Sequence, residues 1–359
     1  MLFGGRSAEH DVSCASALNI LRSMDRERYE PVLVGIARSG EWRALEVPED
    51  LGAPAAKLSV PEDGPVLALL PGGRGKALVV DQGAAREILP VDMAFPVLHG
   101  PHGEDGTVQG MFEVANIPYV GSGVAGSAIS MDKDVTKRLL HEAGLPTPRF
   151  LALTVADTPD YRTATEKLGS AQMFVKPANM GSSVGVSRVG SEAEYRQACA
   201  TAFRFDRKIL VEECIANARE IECSVLESDD GELRISPLGE IVPHGAQGFY
   251  SYESKYIDSD GASLVIPAEL PEQLESEIAD LALSAFKVLG CEGLARIDFF
   301  VSVDRVLVNE ANTLPGFTDV SMYPKLWTES GMSQKEVLDT LLSHALQRHR
   351  AKEALSSHR

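Results

Sequence analysis

The chain has 359 residues, a formal net charge of −18 and a hydrophobic content of 44%. This length predicts two or three domains, and the acidity argues against a nucleic-acid partner, because phosphate backbones would repel such a surface. The five cysteines have no C-x-x-C spacing, which argues against a disulfide framework and a thiolate zinc site. The sequence shows no signal peptide and no apolar stretch long enough to span a membrane, which argues against membrane insertion. Together these features predict a cytoplasmic location.

The first third of the chain has the pattern of an α/β layer. Apolar residues 1–3 lead into a turn at Gly4-Gly5, and residues 9–23 are predicted to form a helix. The apolar runs 31–36 and 92–98 are typical of strands that are buried on both faces. The alternation of strand, helix and strand therefore predicts an α/β fold.

The next segment, residues 99–106, is a loop rich in glycine and in ligand-type side chains. His99, His102, Glu104 and Asp105 have the right chemistry to bind zinc. Their spacing is not the helical H-E-x-x-H pattern, and a glycine-rich loop does not fix ligand geometry. We therefore favour a loop on the substrate side of a site over a zinc centre.

A lysine and a glycine–serine loop mark the middle of the chain. A helix is predicted over residues 132–143, followed by strands at 174–177 and 184–187. The loop between these strands exposes backbone N–H groups that can fold over phosphate oxygens, and Lys176 can supply a charge. The order of lysine and glycines differs from that of a P-loop, and an ordinary glycine-containing hairpin turn explains the pattern equally well.

A further apolar strand is predicted over residues 208–213, and it ends in two carboxylates. Beside a pocket, Glu212 or Glu213 could face a ribose while the backbone faces a purine edge. Without that context, a strand that simply emerges into solvent is the favoured interpretation. After Ser333 the chain is predicted to form a charged helix that frays.

The most informative stretch is a predicted hairpin whose turn is centred on Asp304. Alternation along its strands places Asp298 opposite Glu310, and Arg296 opposite Asn312, on one face. Facing carboxylates destabilise a sheet unless a cation bridges them, and oxygen ligands without thiolates suit Mg²⁺. Arg296 adds a ligand for an anion such as phosphate. The hairpin therefore predicts a metal–phosphate site, with an ordinary surface hairpin as the alternative.

Taken together, these segments resemble the D-alanine–D-alanine ligase family of the ATP-grasp superfamily over nearly the whole chain. Each motif alone is modest, but their order and separations are specific. The motifs are FGGRSAEHDVS at 3–13, HGPHGEDG at 99–106, GSG at 121–123, MDK at 131–133, VKP at 175–177, GSSVG at 181–185, YESKY at 252–256, RID at 296–298 and NEAN at 309–312.

The resemblance implies a mixed α/β fold in a three-domain ATP-grasp architecture. An N-terminal parallel-sheet domain would span residues 1–121, a central domain with the phosphate loop 122–212, and a C-terminal domain with the metal site and a closing loop 213–359. The implied reaction joins two D-alanines into D-alanyl-D-alanine through a D-alanyl phosphate, consumes ATP and supplies peptidoglycan synthesis. The resemblance also implies Mg²⁺, with Mn²⁺ as an alternative, and a homodimer.

Roles for individual residues also follow from the resemblance. The metal would be held by Asp298, Glu310 and Asn312. Contacts with ATP are implied for a set of residues spread over the central and C-terminal parts of the chain: Lys133, Lys176, Ser183, Glu212, Glu213, Ile215, Glu220 and Lys255.

The residues implied for catalysis and for D-alanine binding come from all three parts of the chain. Glu9 would hold the ammonium of the first D-alanine, with Ser182 and Tyr256 hydrogen-bonded to it. Arg296 and the Gly316 N–H would stabilise the acyl phosphate and the tetrahedral intermediate. Substrate positioning is implied for three further residues: His99, Ser321 and Met322.

Two departures from the family pattern and three competing interpretations remain. Only Met1 and Leu2 precede the Phe-Gly-Gly motif, so either the recorded start is internal or the first strand is very short, and Met322 stands where leucine is common.

A ligase that makes D-alanyl-D-lactate or D-alanyl-D-serine is the closest alternative, and Tyr256 argues against the lactate form. A nucleotide-binding protein without catalysis would not need the full set of metal and phosphate residues. An NAD-binding module is disfavoured because Gly4-Gly5 is not a G-x-G-x-x-G fingerprint.

Overall fold

The computed structural model of the chain describes residues 1–53, 56–81, 84–244 and 261–355. Within these residues, three β-sheets follow one another along the chain, and helices pack against each of them. The α/β fold class predicted from the sequence is confirmed. None of the described helices is long and apolar enough to cross a membrane.

The first sheet is parallel at its centre and antiparallel beyond it. Its strand order is β6-β5-β4-β3-β2-β1-β7, and only β2, β1 and β7 run parallel to one another. The predicted parallel sheet is therefore limited to the strands that carry the glycine turn and the 99–106 loop. Its elements are β1 (Leu2–Gly4), α1 (His10–Ser23), β2 (Leu33–Ile36), β3 (Trp42–Leu45), β4 (Val66–Leu69), β5 (Lys76–Asp81), β6 (Ala84–Pro90), β7 (Pro96–Val97) and α2 (Thr107–Ala115).

Two helices link the first sheet to the second: α3 (Val124–Met131) and α4 (Lys133–Glu142). The second sheet is antiparallel throughout, in the order β10-β9-β11-β8. Its elements are β8 (Phe150–Thr154), α5 (Tyr161–Leu168), β9 (Met173–Pro177), β10 (Ser187–Val189), α6 (Glu192–Ala202) and β11 (Lys208–Glu213), with a short 3₁₀ turn at Val155–Asp157. Strand β11 has the predicted bounds, and α4 lies within its predicted range.

The strand predicted at 184–187 is wrong in its bounds. Strand β10 begins only at Ser187, because the preceding residues continue the turn. The Val184 N–H donates to Gly181 O at 3.1 Å, and the Val186 N–H donates to Ser183 O at 3.2 Å. The loop between β9 and β10 is therefore longer than the sequence analysis predicted.

The third sheet has the order β15-β14-β12-β16-β17, with β13 paired to β12. Its elements are β12 (Arg219–Glu227), β13 (Leu233–Ile235), β14 (Gly239–Pro243), β15 (Ala262–Val265), α7 (Glu272–Val288), β16 (Leu294–Val301), β17 (Val306–Asn312), α8 (Met322–Glu329) and α9 (Gln334–Glu353). Helices α3 and α4 also pack here, since Ile129, Leu139 and Leu140 lie in the core beneath this sheet. The domain boundaries at 121 and 212 stay a prediction.

One apolar core joins the first sheet to the C-terminal helices. Phe3 and Leu21 lie in the same buried cluster as Phe317, Trp327 and Leu341. Residues that are some 300 positions apart in sequence therefore stabilise each other by removing apolar surface from water. This shared core fixes where the N-terminal helix α1 lies relative to the third sheet.

The C-terminal helix α9 is part of this core, so the expectation that it frays is wrong over most of its length. It begins with a capping box, in which the Ser333 N–H donates to Glu336 Oε2 at 2.8 Å and the Glu336 N–H donates back to Ser333 Oγ at 3.3 Å. Its apolar side is buried from Val337 to Ala345. Lys335, Glu336, Arg350 and Lys352 are exposed, whereas Arg348 ties the helix to the Tyr119 carbonyl oxygen at 2.8 Å.

We expect Leu341→Ala to lower the free energy of unfolding by about 2–5 kcal/mol, because it leaves a cavity in the core shared by α1 and α9. Urea denaturation followed by circular dichroism measures the change. Gln347→Ala, at an exposed position of the same helix, should stay within about 0.5 kcal/mol. Equal effects of the two substitutions would show that α9 does not contribute to the core.

Candidate active site

The β16–β17 hairpin has the predicted pairing at its functional end. Asp298 lies opposite Glu310, and Arg296 lies opposite Asn312. The register shifts between Asp298 and Phe299, so that Phe299 pairs with Val308. One residue of β17, Asn309, is therefore a β-bulge, and it turns the Glu310 end of the strand into the predicted register.

Arg296 neutralises the acidic face of this hairpin. Its Nε lies 2.7 Å from Asp298 Oδ1, its Nη2 lies 2.8 Å from Asp298 Oδ2, and its Nε is also 3.0 Å from Glu222 Oε2. Burial works against the charged guanidinium, but the two carboxylates outweigh it and raise the pKa of Arg296 well above its ordinary value. The Asn312 side-chain amide donates to Asp298 Oδ2 at 3.0 Å.

The same three oxygen-bearing side chains fit a hard cation. Asp298, Glu310 and Asn312 present carboxylate and amide oxygens on neighbouring rungs of one ladder, which is the ligand chemistry that Mg²⁺ prefers. In the described part of the chain, three or more His, Cys, Asp or Glu side chains do not gather at any metal-type site. The two-carboxylate, one-amide set of the hairpin therefore stands as the candidate metal site, and it leaves room for substrate oxygens as further ligands.

Lys133 links the hairpin to the loop at residues 178–186, between β9 and β10, which we call the phosphate loop after its predicted role. At the first position of α4, its Nζ lies 3.6 Å from Glu310 Oε2 and donates to Met180 O at 2.7 Å. Asp132 caps the helix by accepting from the Asp134 and Val135 N–H groups. The capped helix start thus places one ammonium between the metal hairpin and the loop that follows β9.

A second ammonium of α4, Lys137, was missed by the sequence analysis. It is 0% exposed and lies 3.2 Å from Glu212 Oε1, while Lys176 Nζ lies 2.6 Å from Glu212 Oε2. Burial lowers the pKa of Lys137 to about 8. Burial alone would raise the pKa of Glu212, but the two ammonium groups hold it below its ordinary value. The sequence signal was the i, i+4 spacing of Lys133 and Lys137, which puts both on one side of the helix.

Glu213 has a different environment from Glu212. Its Oε2 lies 2.7 Å from Arg149 Nη2, and its Oε1 lies 3.1 Å from Arg305 Nη1. These cations lower its pKa against the opposing effect of burial. Its carboxylate therefore ties β11 to the start of β8 and to the hairpin turn.

A cavity of about 390 Å³ lies between the second and third sheets and collects most of the predicted nucleotide residues. Its lining combines charged side chains with the apolar side chains of Phe174, Val186, Ile215, Ile241 and Phe300, and the sequence analysis named only Ile215 of this apolar set. The predicted residues that line it are Lys133, Lys176, Ser182, Ser183, Glu212, Glu213, Ile215, Glu220, Asp298 and Glu310, and Glu222 is an unpredicted addition. Such a cavity suits a ligand with one flat apolar end and one polyanionic end.

The loop over the cavity reaches the N-terminal part of the chain. Ser182 and Ser183 both have positive φ values, 51° and 57°, an uncommon backbone conformation for residues other than glycine. The Ser182 hydroxyl donates to Glu9 Oε1. A Cβ on Gly100 would lie 2.9 Å from Glu9 Oε2, so the glycine leaves room for this carboxylate. Glu9 therefore sits where the 99–106 loop, α1 and the phosphate loop meet.

The 99–106 loop is held by its own carboxylates. Glu104 Oε2 accepts from the Gly100 N–H at 2.6 Å, and Asp105 Oδ2 accepts from the His102 N–H at 2.9 Å. Burial, together with the nearby Glu9 carboxylate, raises the pKa of Glu104 to about 8. These bonds give the two acidic side chains a loop-stabilising role, which agrees with the preference against zinc.

The remaining predicted residues lie at the ends of the same region. His99 is 6% exposed, and its Nδ1 lies 3.1 Å from Leu314 O. Ser321 directly precedes α8 without a capping bond from its side chain, and its Oγ, which accepts from the Thr318 N–H at 3.0 Å, would lie 2.8 Å from a Cβ on Gly316. Met322 is 4% exposed, and its side chain packs in an apolar cluster. Lys255 and Tyr256 lie outside the described residues.

Comparison with known proteins identifies the same architecture. A family model for the D-alanine–D-alanine ligase N-terminus matches residues 1–122, and one for the C-terminus matches residues 139–343. The D-alanine–D-alanine ligase B of Bradyrhizobium diazoefficiens is 54% identical over 356 residues, which cover 99% of this chain and 95% of that protein.

Solved structures agree over similar lengths. The D-alanine–D-alanine ligase of Coxiella burnetii has a TM-score of 0.84 at 34% identity and covers 98% of this chain and 94% of its own. The VanG D-Ala:D-Ser ligase of Enterococcus faecalis has a TM-score of 0.81 at 32% identity, with 96% and 98% covered. The Bacillus anthracis D-alanine–D-alanine ligase complexed with ATP has a TM-score of 0.72 at 27% identity, with 98% of both chains covered.

The predicted ATP-grasp architecture is thereby confirmed, and because two family models match residues 1–122 and 139–343 and a relative is 54% identical over 99% of the chain, the chain belongs to the D-alanine–D-alanine ligase family.

Proposed function

We infer that this protein joins two D-alanines into D-alanyl-D-alanine, consumes ATP and supplies a precursor of peptidoglycan. The observation that carries this inference is the convergence on one cavity of a metal-type hairpin, two phosphate-type lysines and Ser182, whose hydroxyl donates to Glu9. The hairpin and lysines suit a polyphosphate, and Glu9 suits an ammonium. Together they would hold a phosphoryl donor beside an amino acid.

ATP would occupy the cavity with its base against the apolar lining residues and its phosphates against the charged ones. Lys133 and Lys176 would contact phosphate oxygens, while Ser182 and Ser183 hold the loop over them. Glu220 would face the ribose, with Ile215 beside the base. Positioning of this kind matters because phosphoryl transfer depends mainly on alignment and charge stabilisation.

Asp298, Glu310 and Asn312 would hold Mg²⁺ or Mn²⁺ at the phosphates. A divalent cation at this site, when bound, neutralises the charge on phosphate oxygens. The protein itself keeps Arg296 beside the same carboxylates, where its guanidinium can stabilise the acyl phosphate and the tetrahedral oxyanion.

The two D-alanines would bind on either side of the transferred phosphate. Glu9 would take the ammonium of the first D-alanine, whose carboxylate attacks the γ-phosphorus of ATP and becomes an acyl phosphate as ADP leaves. The amino group of the second D-alanine would then attack that carbonyl carbon, and phosphate would leave. The start of α8, at Ser321 and Met322, would hold the carboxylate of the second D-alanine, since the first N–H groups of a helix attract anions.

The biological setting is part of the same proposal. We propose a cytoplasmic homodimer with three domains at 1–121, 122–212 and 213–359, with Lys255 and Tyr256 on a loop that closes over the site. Light scattering of the purified protein measures the oligomeric state. ATP and D-alanine are the proposed small-molecule partners.

The direct test is to incubate the protein with ATP, Mg²⁺ and D-alanine and to measure phosphate release and product mass. D-Serine and D-lactate serve as competing second substrates. Phosphate release that depends on D-alanine, with the mass of D-alanyl-D-alanine as the main product, is the expected result. If the main product contained D-serine or D-lactate, the protein would be a ligase with that second-substrate specificity. An absence of D-alanine-dependent turnover would overturn the proposed function.

Glu310→Gln tests the metal hairpin. Removal of one of two facing carboxylates should weaken metal binding and lower kcat by at least about a hundredfold, because metal charge stabilisation contributes several kcal/mol. Turnover is measured while Mg²⁺ is titrated. Asp304→Asn, on the exposed turn of the same hairpin, should keep wild-type turnover. Near-normal rates for Glu310→Gln at limiting Mg²⁺ would contradict the metal assignment.

Glu9→Gln tests the ammonium site. Loss of the counter-charge should weaken first-site D-alanine affinity by about tenfold or more, while ATP affinity persists. The measurement is a D-alanine titration at saturating ATP. Asp11→Asn, on the exposed side of the same helix, where Asp11 pairs with Arg38 at 2.9 Å, is the matched control. An unchanged first-site constant would remove Glu9 from the active site.

Lys137→Met tests the buried lysine that faces Glu212. Without it, Glu212 attracts Lys176 more strongly, so we expect the KM for ATP to rise by about tenfold and stability to fall by about 3 kcal/mol. Steady-state kinetics and urea denaturation give both values. The double variant Lys137→Met/Glu212→Gln removes both charges and should recover part of the stability.

The exposed Lys167→Met on α5 is the control for loss of a lysine. If Lys137→Met matched this control in both KM and stability, the buried ion pair would have no role in nucleotide binding.

A further inference from the structure

Residues 314–317, which we call the strap, lie in the connection between the β16–β17 hairpin and α8 and contain Gly316. Two strap residues are held by the N-terminal part of the chain at both of their backbone polar groups. The Leu314 N–H donates to Glu104 Oε1 at 3.4 Å, and Leu314 O accepts from His99 Nδ1 at 3.1 Å. The 99–106 loop therefore holds Leu314 through both of its backbone polar groups, and we call such a pair of hydrogen bonds a grip.

Helix α1 holds Phe317 through a second grip. Its N–H donates to Ser16 Oγ at 3.1 Å, and its carbonyl oxygen accepts from Asn19 Nδ2 at 2.8 Å. Both strap residues are also buried, with Leu314 at 5% and Phe317 at 3% exposure. The two grips lie on either side of Gly316.

The two grips share one hydrogen-bond chain. His99 Nε2 lies 3.3 Å from Ser16 Oγ. Since Nδ1 donates to Leu314 O, Nε2 must accept the Ser16 hydroxyl proton, and Ser16 Oγ in turn accepts from Phe317 N–H. Burial lowers the pKa of His99, and the neutral ring is the form that this chain of bonds requires.

These bonds leave one strap N–H that takes no part in them. Leu314 and Phe317 use theirs in the grips, and Pro315 has none. Gly316 supplies the remaining N–H of this segment, and its Cα has no room for a side chain because Ser321 Oγ would lie 2.8 Å from a Cβ. The segment is thus shaped to present a single backbone donor.

We propose that Ser16, Asn19, His99 and Glu104 are positioning residues that hold the strap so that the Gly316 N–H faces the reacting carbonyl oxygen. This proposal rests on the proposed ligase function and adds residues that do not line the candidate nucleotide cavity. Helix α1 carries Glu9 at its start and Ser16 and Asn19 two and three turns later. One rigid element would therefore set the distance between the ammonium site and the oxyanion donor.

Asn19→Leu is the primary test, because the residue is only half-buried and leucine has similar volume without a donor. We expect kcat for dipeptide formation to fall by at least about tenfold, since misplacement of a preorganised donor costs that much or more. The KM for ATP should stay within about twofold, because the cavity is untouched. Affinity for a tetrahedral phosphinate analogue of the dipeptide should fall in parallel with kcat.

Ser23→Ala is the matched control. Ser23 lies one turn further along α1, and its hydroxyl donates at 2.8 Å to Gln334 Oε1, an oxygen that Asn19 also contacts at 3.1 Å. This variant loosens the same interface without touching the strap, so kcat should remain at the wild-type value. An equal kcat loss in Ser23→Ala and Asn19→Leu would overturn the proposal in favour of general loosening.

Ser16→Ala is the second variant, and it breaks both the Phe317 grip and the link to His99. If Asn19→Leu and a folded Ser16→Ala both keep kcat within about twofold of wild type, the strap proposal is wrong; if Ser16→Ala does not fold, Asn19→Leu decides alone. Wild-type turnover separates this from the function itself. A wild type without D-alanine-dependent activity would overturn the ligase proposal, whereas an active wild type with normal variants would overturn only the strap.

Discussion

Buried charge is the constraint on which this site depends. An ion removed from water is stable only when an opposite charge and hydrogen bonds replace its hydration. Glu212 meets this condition between Lys137 and Lys176, and Asp298 meets it against Arg296. Helix α4 supplies a cation to two sheets at once, since Lys137 reaches β11 and Lys133 reaches the end of β17. The need to pair these ions therefore fixes how the second and third sheets face each other across the cavity.

The N-terminal part of the chain completes the site from the third side. Its contribution is carried by α1 and the 99–106 loop, which also share an apolar core with the C-terminal helices. The contact between Glu9 and Ser182 joins this part to the phosphate loop. Two consecutive serines with positive φ hold that loop in a conformation that costs backbone energy, and such strain persists only where surrounding contacts over-determine it. A substrate site assembled from three parts of the chain can align an ammonium, a carboxylate and a phosphate at once.

The hairpin shows how a correct prediction can rest on incomplete geometry. The alternation rule placed Asp298 opposite Glu310, and the structure agrees. The turn end of the hairpin has a different register, with Val301 opposite Val306, and the bulge at Asn309 restores the predicted pairing at the functional end. Without the bulge, Glu310 would leave the rung of Asp298 and point to the other face of the sheet. The facing carboxylates thus depend on one extra residue whose effect the pattern did not reveal.

Local patterns in the sequence determined the features that depend on neighbouring residues. The capped helix α4, strand β11 and the hairpin all follow from periodicity, capping chemistry and alternation, and the motif order determined the family. Tertiary structure alone decided the pairings between distant residues. The sequence analysis did not single out Lys137 or Glu222, and it treated Glu104 only as a ligand-type side chain of a loop. The structure pairs Lys137 with Glu212, Glu222 with Arg296, and Glu104 with the Leu314 N–H. The reason is physical: periodicity reports which side of its own element a residue occupies, whereas the energy of a buried ion or a backbone grip depends on which other element is brought against that side.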